Sequence, residues 1–331
     1  MKFDHLPKVE LHLHLDCSLS YAVVSQIDPS ITIETYNSDF IAPAKCENLR
    51  DYLTRAPSSY PLMQTEEQLR LVTLDLFEQL RRDNVIFAEI RFAPLLHTDE
   101  GLSAHEVVSS VEAAVAESVR STGIDARIIL CTLRFFSKAQ SLKTVKLVED
   151  FGGTYVAAFD IAADKPGNVI DAHISAFQYA RDNGIPYTAH VGETRGIENV
   201  WDTLEHFSPT RFGHGVCSIE DPALLELLRE QQIHLEACPT CNVQTDCYDT
   251  YADHPIDRLY RAGISVGVNT DTRTISNITL NEEYEKLHRT FGWEKEDFYR
   301  CNRNALKAAF IPEDVRSKLL EQLADGYQQA D

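Results

Sequence analysis

The sequence predicts an α/β protein, a (β/α)8 TIM barrel with extra helices over the C-terminal face of the barrel. Two observations favour this fold. The 331 residues contain no linker, repeat or low-complexity tract, so we expect a single domain over residues 1–331. Eight short apolar, β-branched runs alternate with amphipathic helical stretches, which is the order that such a barrel requires. A doubly wound sheet is the alternative, since strand boundaries are hard to read from one sequence.

The predicted strands recur along the whole chain. They are expected at residues 9–16, 85–94, 126–135, 156–164, 185–193, 211–216, 233–240 and 264–271. Helical periodicity is clearest in residues 66–84, 104–120 and 221–231, and helical segments also follow the last strand. The stretch from 17 to 65 is longer than an ordinary strand-to-helix connection. We therefore expect it to supply the helices that cover the barrel mouth.

The composition disfavours several classes of partner. The formal net charge of -20 repels phosphate backbones and anionic lipid, so we expect neither a nucleic acid nor a membrane as partner. No apolar run approaches the roughly 20 residues of a membrane span. The opening MKFDHLPKVE lacks the apolar core of a secretory signal, which predicts a cytoplasmic protein. The eight cysteines have no disulfide-framework spacing, so we expect reduced thiols.

The stretch VELHLHLD contains two histidines that alternate with leucines. Successive side chains of a strand point to opposite faces, so His12 and His14 share one face. A polar face in contact with solvent would explain this pair alone. However, histidines and carboxylates also end other predicted strands, and in a barrel those ends carry the active site. The residues at these ends are His12, His14, Asp16, His190, Glu193, His214 and Asp271.

These residue types suit a metal centre. Three imidazoles and one carboxylate form a ligand set for Zn²⁺, and Fe²⁺ or Mn²⁺ also accept it. The candidate ligands are His12, His14, His190 and Asp271. Glu193 lies three residues after His190, so it would sit near the metal and could move protons. His214 could hold or deprotonate an attacking water. A second metal would commonly need a bridging lysine, but the fourth strand has none and Lys165 falls just beyond it. We therefore expect one Zn²⁺ per chain.

Five segments resemble, in sequence and order, the motifs of the adenosine deaminase family within the amidohydrolase superfamily. They are PKVELHLHLDCSL, HVGE, RFGHGV, LEACPTCN and VGVNTD, and they span nearly the whole chain. The resemblance implies that zinc is bound by His12, His14, His190 and Asp271. It also implies that Glu193 donates a proton to purine N1, and that His214 orients the attacking water and helps to deprotonate it. His14 and Asp16 would contact the substrate, Asp16 at a ribose hydroxyl.

Three positions that would contact or border the substrate depart from the family pattern. Cys17 stands where a glycine is usual and adds bulk near a ribose. Ala163 stands where the family has a glycine whose N–H is expected at purine N3; alanine keeps that donor and adds a methyl group. Thr272 stands where an aspartate is expected at purine N7, and its hydroxyl can donate to that nitrogen. The departures therefore bear on the identity of the substrate and leave the predicted zinc ligands intact.

The predicted function is zinc-dependent hydrolytic deamination of a 6-aminopurine nucleoside, adenosine or 2′-deoxyadenosine, which yields inosine or 2′-deoxyinosine and ammonia. The same chemistry on adenine, an N6-substituted adenine or a modified adenosine is the nearest alternative. An amidohydrolase that opens a cyclic amide and a non-catalytic zinc-binding barrel are further alternatives. A structural zinc site needs no acid beside it, so Glu193 disfavours the last of these. The expected partner is a small-molecule purine, and the oligomeric state is left open.

Two further features have structural explanations. Cys238 and Cys241 form a CxxC motif, but the preceding HLE lacks the spacing of a cytidine-type deaminase signature, and no second cysteine pair completes a zinc ribbon. We interpret the motif as the end of the seventh strand at the barrel mouth, with a redox pair as the alternative. Arg91 is expected in a buried ion pair or in the pocket wall. The other histidines, His97 among them, are expected at the surface or in the core.

Overall fold

Eight parallel strands form the centre of the computed structural model, which describes residues 3–164, 170–194 and 196–329. The strands are β1 (Lys8–His14), β2 (Val85–Phe92), β3 (Asp125–Leu133), β4 (Val156–Ala162), β5 (Ala189–Val191), β6 (Arg211–His214), β7 (His234–Ala237) and β8 (Ser265–Val268). They form two sheets in the order β1-β2-β3-β4 and β5-β6-β7-β8. Parallel bridges between Phe159 and Tyr187 and between Leu13 and Asp271 join the sheets at both edges. The predicted α/β barrel and its eight strands are confirmed.

Helices connect the strands and surround them. They are α1 (Tyr21–Ile27), α2 (Ile33–Asp39), α3 (Leu49–Leu53), α4 (Glu66–Arg82), α5 (Ala104–Thr122), α6 (Lys138–Asp150), α7 (Asp171–Asp182), α8 (Glu198–His206), α9 (Pro222–Glu230), α10 (Pro239–Gln244), α11 (Ile256–Arg261), α12 (Leu280–Phe291), α13 (Lys295–Ala308) and α14 (Glu313–Gln329). The extra helices expected between residues 17 and 65 are α1, α2 and α3. In the described part of the chain, no helix is both long and apolar enough to cross a membrane.

The long helices begin where the sequence supplies caps. Thr65 accepts a hydrogen bond from the backbone N–H of Gln68, whose side chain in turn accepts from the backbone N–H of Thr65, and α4 starts at this box. Ser103 and Glu106 form the same arrangement at the start of α5. Such caps contribute about 1 kcal/mol each, because they satisfy N–H groups that the helix leaves without a partner.

The polar face of β1 points into the barrel. Lys8, Glu10 and His12 are fully buried, so contact with solvent does not explain the alternation in this strand. Each polar group has partners inside: Lys8 Nζ donates to three backbone carbonyls, and Glu10 accepts a hydrogen bond from Arg273 at 2.6 Å. A buried charge is tolerated only when it is paired or hydrogen-bonded in this way.

Ion pairs continue across the barrel interior below the mouth. Arg91 binds Asp160 and Glu236, each at 2.7 Å, and Arg211 binds Glu236 at 2.8 Å and Glu89 at 2.5 Å. All five side chains are buried, which confirms the expected ion pair of Arg91. Removing one partner from such a network would leave an uncompensated buried charge, so the network holds β2, β4, β6 and β7 in one arrangement.

Candidate active site

The strand ends bring the predicted ligands together at the barrel mouth. His12 Nε2 lies 3.3 Å and His14 Nε2 lies 3.4 Å from Oδ1 of Asp271. The Nε2 atoms of His14 and His190 are 3.0 Å apart. Backbone hydrogen bonds hold this geometry, since His14 N donates to Asp271 O and Asp271 N donates to His12 O. The structure thus places donors from β1, β5 and the segment after β8 around one point.

His214 also lies at this cluster. Donor atoms of His12, His190, His214 and Asp271 are all within 4.8 Å of one another, so geometry alone offers His214 as a ligand in place of His14. Hydrogen bonding distinguishes His214 from His14 as a candidate metal ligand. Asn242 Nδ2 donates to His214 Nδ1 at 3.1 Å, which leaves the ring proton of a neutral His214 on Nε2. That nitrogen then has no lone pair for a metal, and it faces Glu193 Oε2 at 3.2 Å.

The remaining donors fit a divalent cation. His12 Nε2 is buried and has no hydrogen-bond partner among the described residues, which would cost about 1–3 kcal/mol without a ligand. Burial lowers the pKa of His12 well below its usual value and that of His14 to about 4. Both rings are therefore neutral near pH 7, the state in which imidazole binds a metal. Nitrogen and carboxylate donors in this number suit Zn²⁺.

Two carboxylates that the sequence analysis did not single out lie against the rings of His12 and His190. Glu236 Oε2 lies 2.9 Å from His12 Nδ1, and Asp160 Oδ2 lies 3.0 Å from His190 Nδ1. The guanidinium of Arg91 binds both carboxylates. Carboxylates in these positions hold the Nδ1 protons, so that the Nε2 lone pairs point to the common centre. The signal in the sequence was the alternation in HLEA and FDIA, which places both carboxylates on the interior face.

Glu193 lies beside His214 in the wall of the pocket. It lies just after β5 and is 8% exposed. Burial by itself would raise its pKa, but the nearby charges of His214, His190 and Arg134 outweigh burial and lower the pKa to about 2. Burial lowers the pKa of His214, whereas the charges of Glu193 and Asp271 raise it. The charges outweigh burial, so the pKa of His214 lies above its usual value. The two side chains thus form a close electrostatic pair at the edge of the cluster.

Several of these positions have unusual backbone conformations. Ala163, His214 and Asp271 have φ values of 67°, 60° and 66°, in the left-handed region that residues with a β-carbon rarely adopt. Each follows or ends a strand at the mouth. β8 itself stops at Val268, short of the predicted 271. Strain of this kind costs on the order of 1–3 kcal/mol and concentrates at functional sites.

A cavity opens beside the cluster. Its wall includes the four predicted substrate-binding residues, His14, Asp16, Ala163 and Thr272, and also Cys17 and Glu193. Asp16 Oδ2 accepts the backbone N–H of Ala93 at 3.2 Å, and the buried His97 lies 3.8 Å from the same oxygen. Lys165, in the loop after the fourth strand, lies outside the described residues.

The opposite wall comes from α3 and the turns after it. Its apolar members are Leu49, Leu53, Ala56 and Tyr60. The sequence analysis missed Tyr52 on this helix, whose buried hydroxyl bonds to Thr272 and lies 2.6 Å from Ser276. The covering helix therefore holds the side chain that replaces the usual family aspartate. Nothing in the sequence pattern connects Tyr52 to Thr272, because 219 residues separate them.

The model of the family described as adenosine deaminase matches residues 7–326. The chain belongs to the adenosine deaminase family. It is accordingly a hydrolase of carbon–nitrogen bonds in cyclic amidines, as the sequence predicted. An adenosine deaminase of Clostridium perfringens is 34% identical over 326 residues, which cover 96% of this chain and 98% of that protein.

Solved structures share the fold at lower sequence identity. An adenine deaminase from Arthrobacter aurescens superposes with a TM-score of 0.89 at 23% identity, covering 97% of this chain and 98% of its own. An amidohydrolase with bound zinc, from Burkholderia ambifaria, superposes with a TM-score of 0.88 at 21% identity, covering 99% and 94%. At these identities the superpositions establish the common fold.

Proposed function

We propose that the protein converts adenosine or 2′-deoxyadenosine to inosine or 2′-deoxyinosine, with release of ammonia. The observation that carries the proposal is the convergence of a cation-binding cluster with Glu193 and His214 at the edge of one cavity. A closed structural metal site would have no such acid beside it and no cavity. The non-catalytic alternative is therefore disfavoured.

One Zn²⁺ per chain is the proposed cofactor, held by the imidazole nitrogens of three histidines and by one carboxylate oxygen. The residues are His12, His14, His190 and Asp271. Zinc bound there supplies the Lewis acidity that makes water nucleophilic near neutral pH. The bound zinc of the Burkholderia ambifaria amidohydrolase supports this choice. Glu236 and Asp160 keep the ligand rings in the metal-binding tautomer.

Glu193 and His214 manage the protons of the reaction. Glu193, ionised because its pKa is about 2, takes a proton from the attacking water and gives it to N1 of the purine, which makes C6 more electrophilic. His214 orients that water with its Nε2–H and so assists its deprotonation, and the water oxygen adds to C6. The bond from C6 to the exocyclic nitrogen then breaks as that nitrogen takes the remaining proton of the added hydroxyl, so that ammonia leaves and the product carries a carbonyl oxygen at C6. The 3.2 Å separation of Glu193 and His214 supports a shared role of the two side chains in moving these protons.

The cavity wall favours a nucleoside. Asp16 keeps Oδ1 available for a ribose hydroxyl, because Oδ2 accepts the Ala93 N–H. The N–H of Ala163 would meet purine N3, and the Thr272 hydroxyl would meet N7. Adenine, an N6-substituted adenine or a modified adenosine is the second candidate. The adenine deaminase of Arthrobacter aurescens and the departures at Cys17, Ala163 and Thr272 support that candidate.

The test is ammonia release by the zinc-loaded protein from adenosine, 2′-deoxyadenosine, adenine, N6-methyladenosine, a 5′-modified adenosine and a cyclic amide. We expect the highest kcat/KM with adenosine or its 2′-deoxy form. A preference for another aminopurine would make Cys17, Ala163 and Thr272 the residues that set specificity. If none of the purines is deaminated while zinc is bound, the proposal fails.

A substitution tests the proton donor separately. Glu193→Gln should lower kcat by about 10²- to 10⁴-fold, since the amide cannot donate the same proton. Zinc content and thermal unfolding should stay at the wild-type level. Glu205→Gln, on the exposed surface of α8, is the control and should leave kcat unchanged. Wild-type turnover by Glu193→Gln would remove Glu193 from the mechanism.

A further inference from the structure

A cysteine thiol lies against the carboxylate at the centre of the cluster. Cys241 Sγ is 2.8 Å from Asp271 Oδ2, and both side chains are buried. The thiol is the donor, because a carboxylate only accepts. Cys241 belongs to the CxxC motif, which opens α10 directly after β7. A redox pair would also be expected at such a place, but both cysteines are free thiols and each has a bond of its own.

The two oxygens of Asp271 have different surroundings. Oδ1 faces His12 Nε2 at 3.3 Å and His14 Nε2 at 3.4 Å, which is the side of the proposed zinc. Oδ2 accepts the Cys241 thiol and lies 3.8 Å from His214 Nε2. The terminal torsion of an aspartate is broad and roughly two-fold, so the carboxylate needs a partner to select one orientation. The thiol supplies that partner.

The backbone cannot supply it. Hydrogen bonds to β1 hold the main chain of Asp271 on both sides, but they leave the side-chain torsions free. Cys241 is itself held firmly, because it packs in a small apolar cluster between α10 and the segment that covers the mouth. The cluster consists of Cys17, Ala42, Cys46, Leu49, Tyr52, Ala56, Cys238, Cys241 and Ile275. A donor fixed in apolar surroundings has little water to compete for its bond.

We propose that Cys241 is a positioning residue for the metal site. Its thiol holds Oδ2 of Asp271, so that Oδ1 is directed to the zinc and Oδ2 stays beside His214. The inference rests on the proposed zinc site. Partners that orient a ligand typically contribute 10- to 100-fold to metal affinity. The contribution of Cys241 to zinc affinity should therefore be measurable without substrate.

The test compares Cys241→Ala, Cys241→Ser and Cys238→Ala by competition for zinc with a chromogenic chelator. Cys241→Ala should weaken zinc about 10- to 100-fold. Cys241→Ser should stay within about threefold of the wild type, because a hydroxyl donates to the same oxygen. Cys238→Ala is the matched control: its thiol lies in the same cluster but donates to the carbonyl of Glu236 at 3.4 Å, so zinc affinity should not change.

Three results would overturn the proposal. They are wild-type zinc affinity in Cys241→Ala, a loss in Cys241→Ser as large as in Cys241→Ala, or an equal loss in Cys238→Ala, which would indicate packing. The spectrum of the cobalt-loaded wild type decides the issue even if the alanine variant fails to fold. A sulfur-to-cobalt charge-transfer band would make Cys241 a ligand and refute the positioning role. If the wild type binds no zinc at all, the proposed function fails instead.

Discussion

Gly213 on β6 offers a sharp test of the metal site, because it approaches His12 without contributing a side chain. A β-carbon at position 213 would lie 2.8 Å from His12 Cε1, 3.2 Å from His12 Nδ1 and 3.2 Å from the Cα of His190. Gly213 is not among the glycines with positive φ, so Gly213→Ala adds no backbone strain. The methyl group acts through this contact with a proposed zinc ligand.

The size of the effect follows from these distances. To reach an ordinary contact of at least about 3.4 Å, the His12 ring must move by about 0.6 Å. Metal-ligand distances tolerate about 0.2 Å. The ring cannot adapt freely, because Glu236 holds its Nδ1 and is itself bound by Arg91 and Arg211. We expect zinc affinity to fall about 10- to 100-fold, which corresponds to about 1.4–2.8 kcal/mol.

The assay is zinc competition against a chelator, with thermal unfolding of the metal-free proteins measured alongside. Gly267→Ala on β8 is the matched control, since its β-carbon would lie 2.9 Å from Nε2 of His234, at the opposite end of the barrel from the mouth. Both variants should lose about 1–3 kcal/mol of unfolding free energy to overpacking. Gly213→Ala should also lose zinc. Zinc affinity within threefold of the wild type in Gly213→Ala, or an equal zinc loss in Gly267→Ala, would refute the reasoning.

Three further predictions concern the pocket and the barrel base. Ala163→Gly should raise the free energy of unfolding in urea by about 1 kcal/mol, because glycine adopts the positive φ without cost to a β-carbon; a decrease would contradict this. Tyr52→Phe should raise the KM for adenosine about fivefold at unchanged kcat, since Thr272 loses a hydrogen-bond partner worth about 1 kcal/mol; an unchanged KM would remove Tyr52 from recognition. Burial lowers the pKa of Lys8 to about 7, from 10.5 when unfolded, so the unfolded chain binds more protons between these values and stability must rise with pH there. The unfolding free energy of the wild type minus that of Lys8→Met should therefore increase from pH 7 to pH 10, and a value that is constant or falls with pH would refute a lowered pKa of Lys8.

The sequence by itself determined the fold class and the position of the chemistry along the chain. Alternating apolar and helical runs predicted eight strands, because the side-chain period of each element is set by local backbone geometry. Histidines and carboxylates at the strand ends indicated one mouth, because a barrel brings those ends together. The two-residue period of a strand was sufficient to predict that His12 and His14 share one face.

Only the tertiary structure decided how these groups are oriented. Cys241 and Asp271 are 30 residues apart and Tyr52 and Thr272 are 220 positions apart in the chain. A hydrogen bond depends on distance and angle, which no local pattern encodes. The same reason explains why the link from Arg91 through Asp160 and Glu236 to the ligand rings was not foreseen. Local periodicity tells which way a side chain faces, whereas the partner that it meets depends on how the strands close around it.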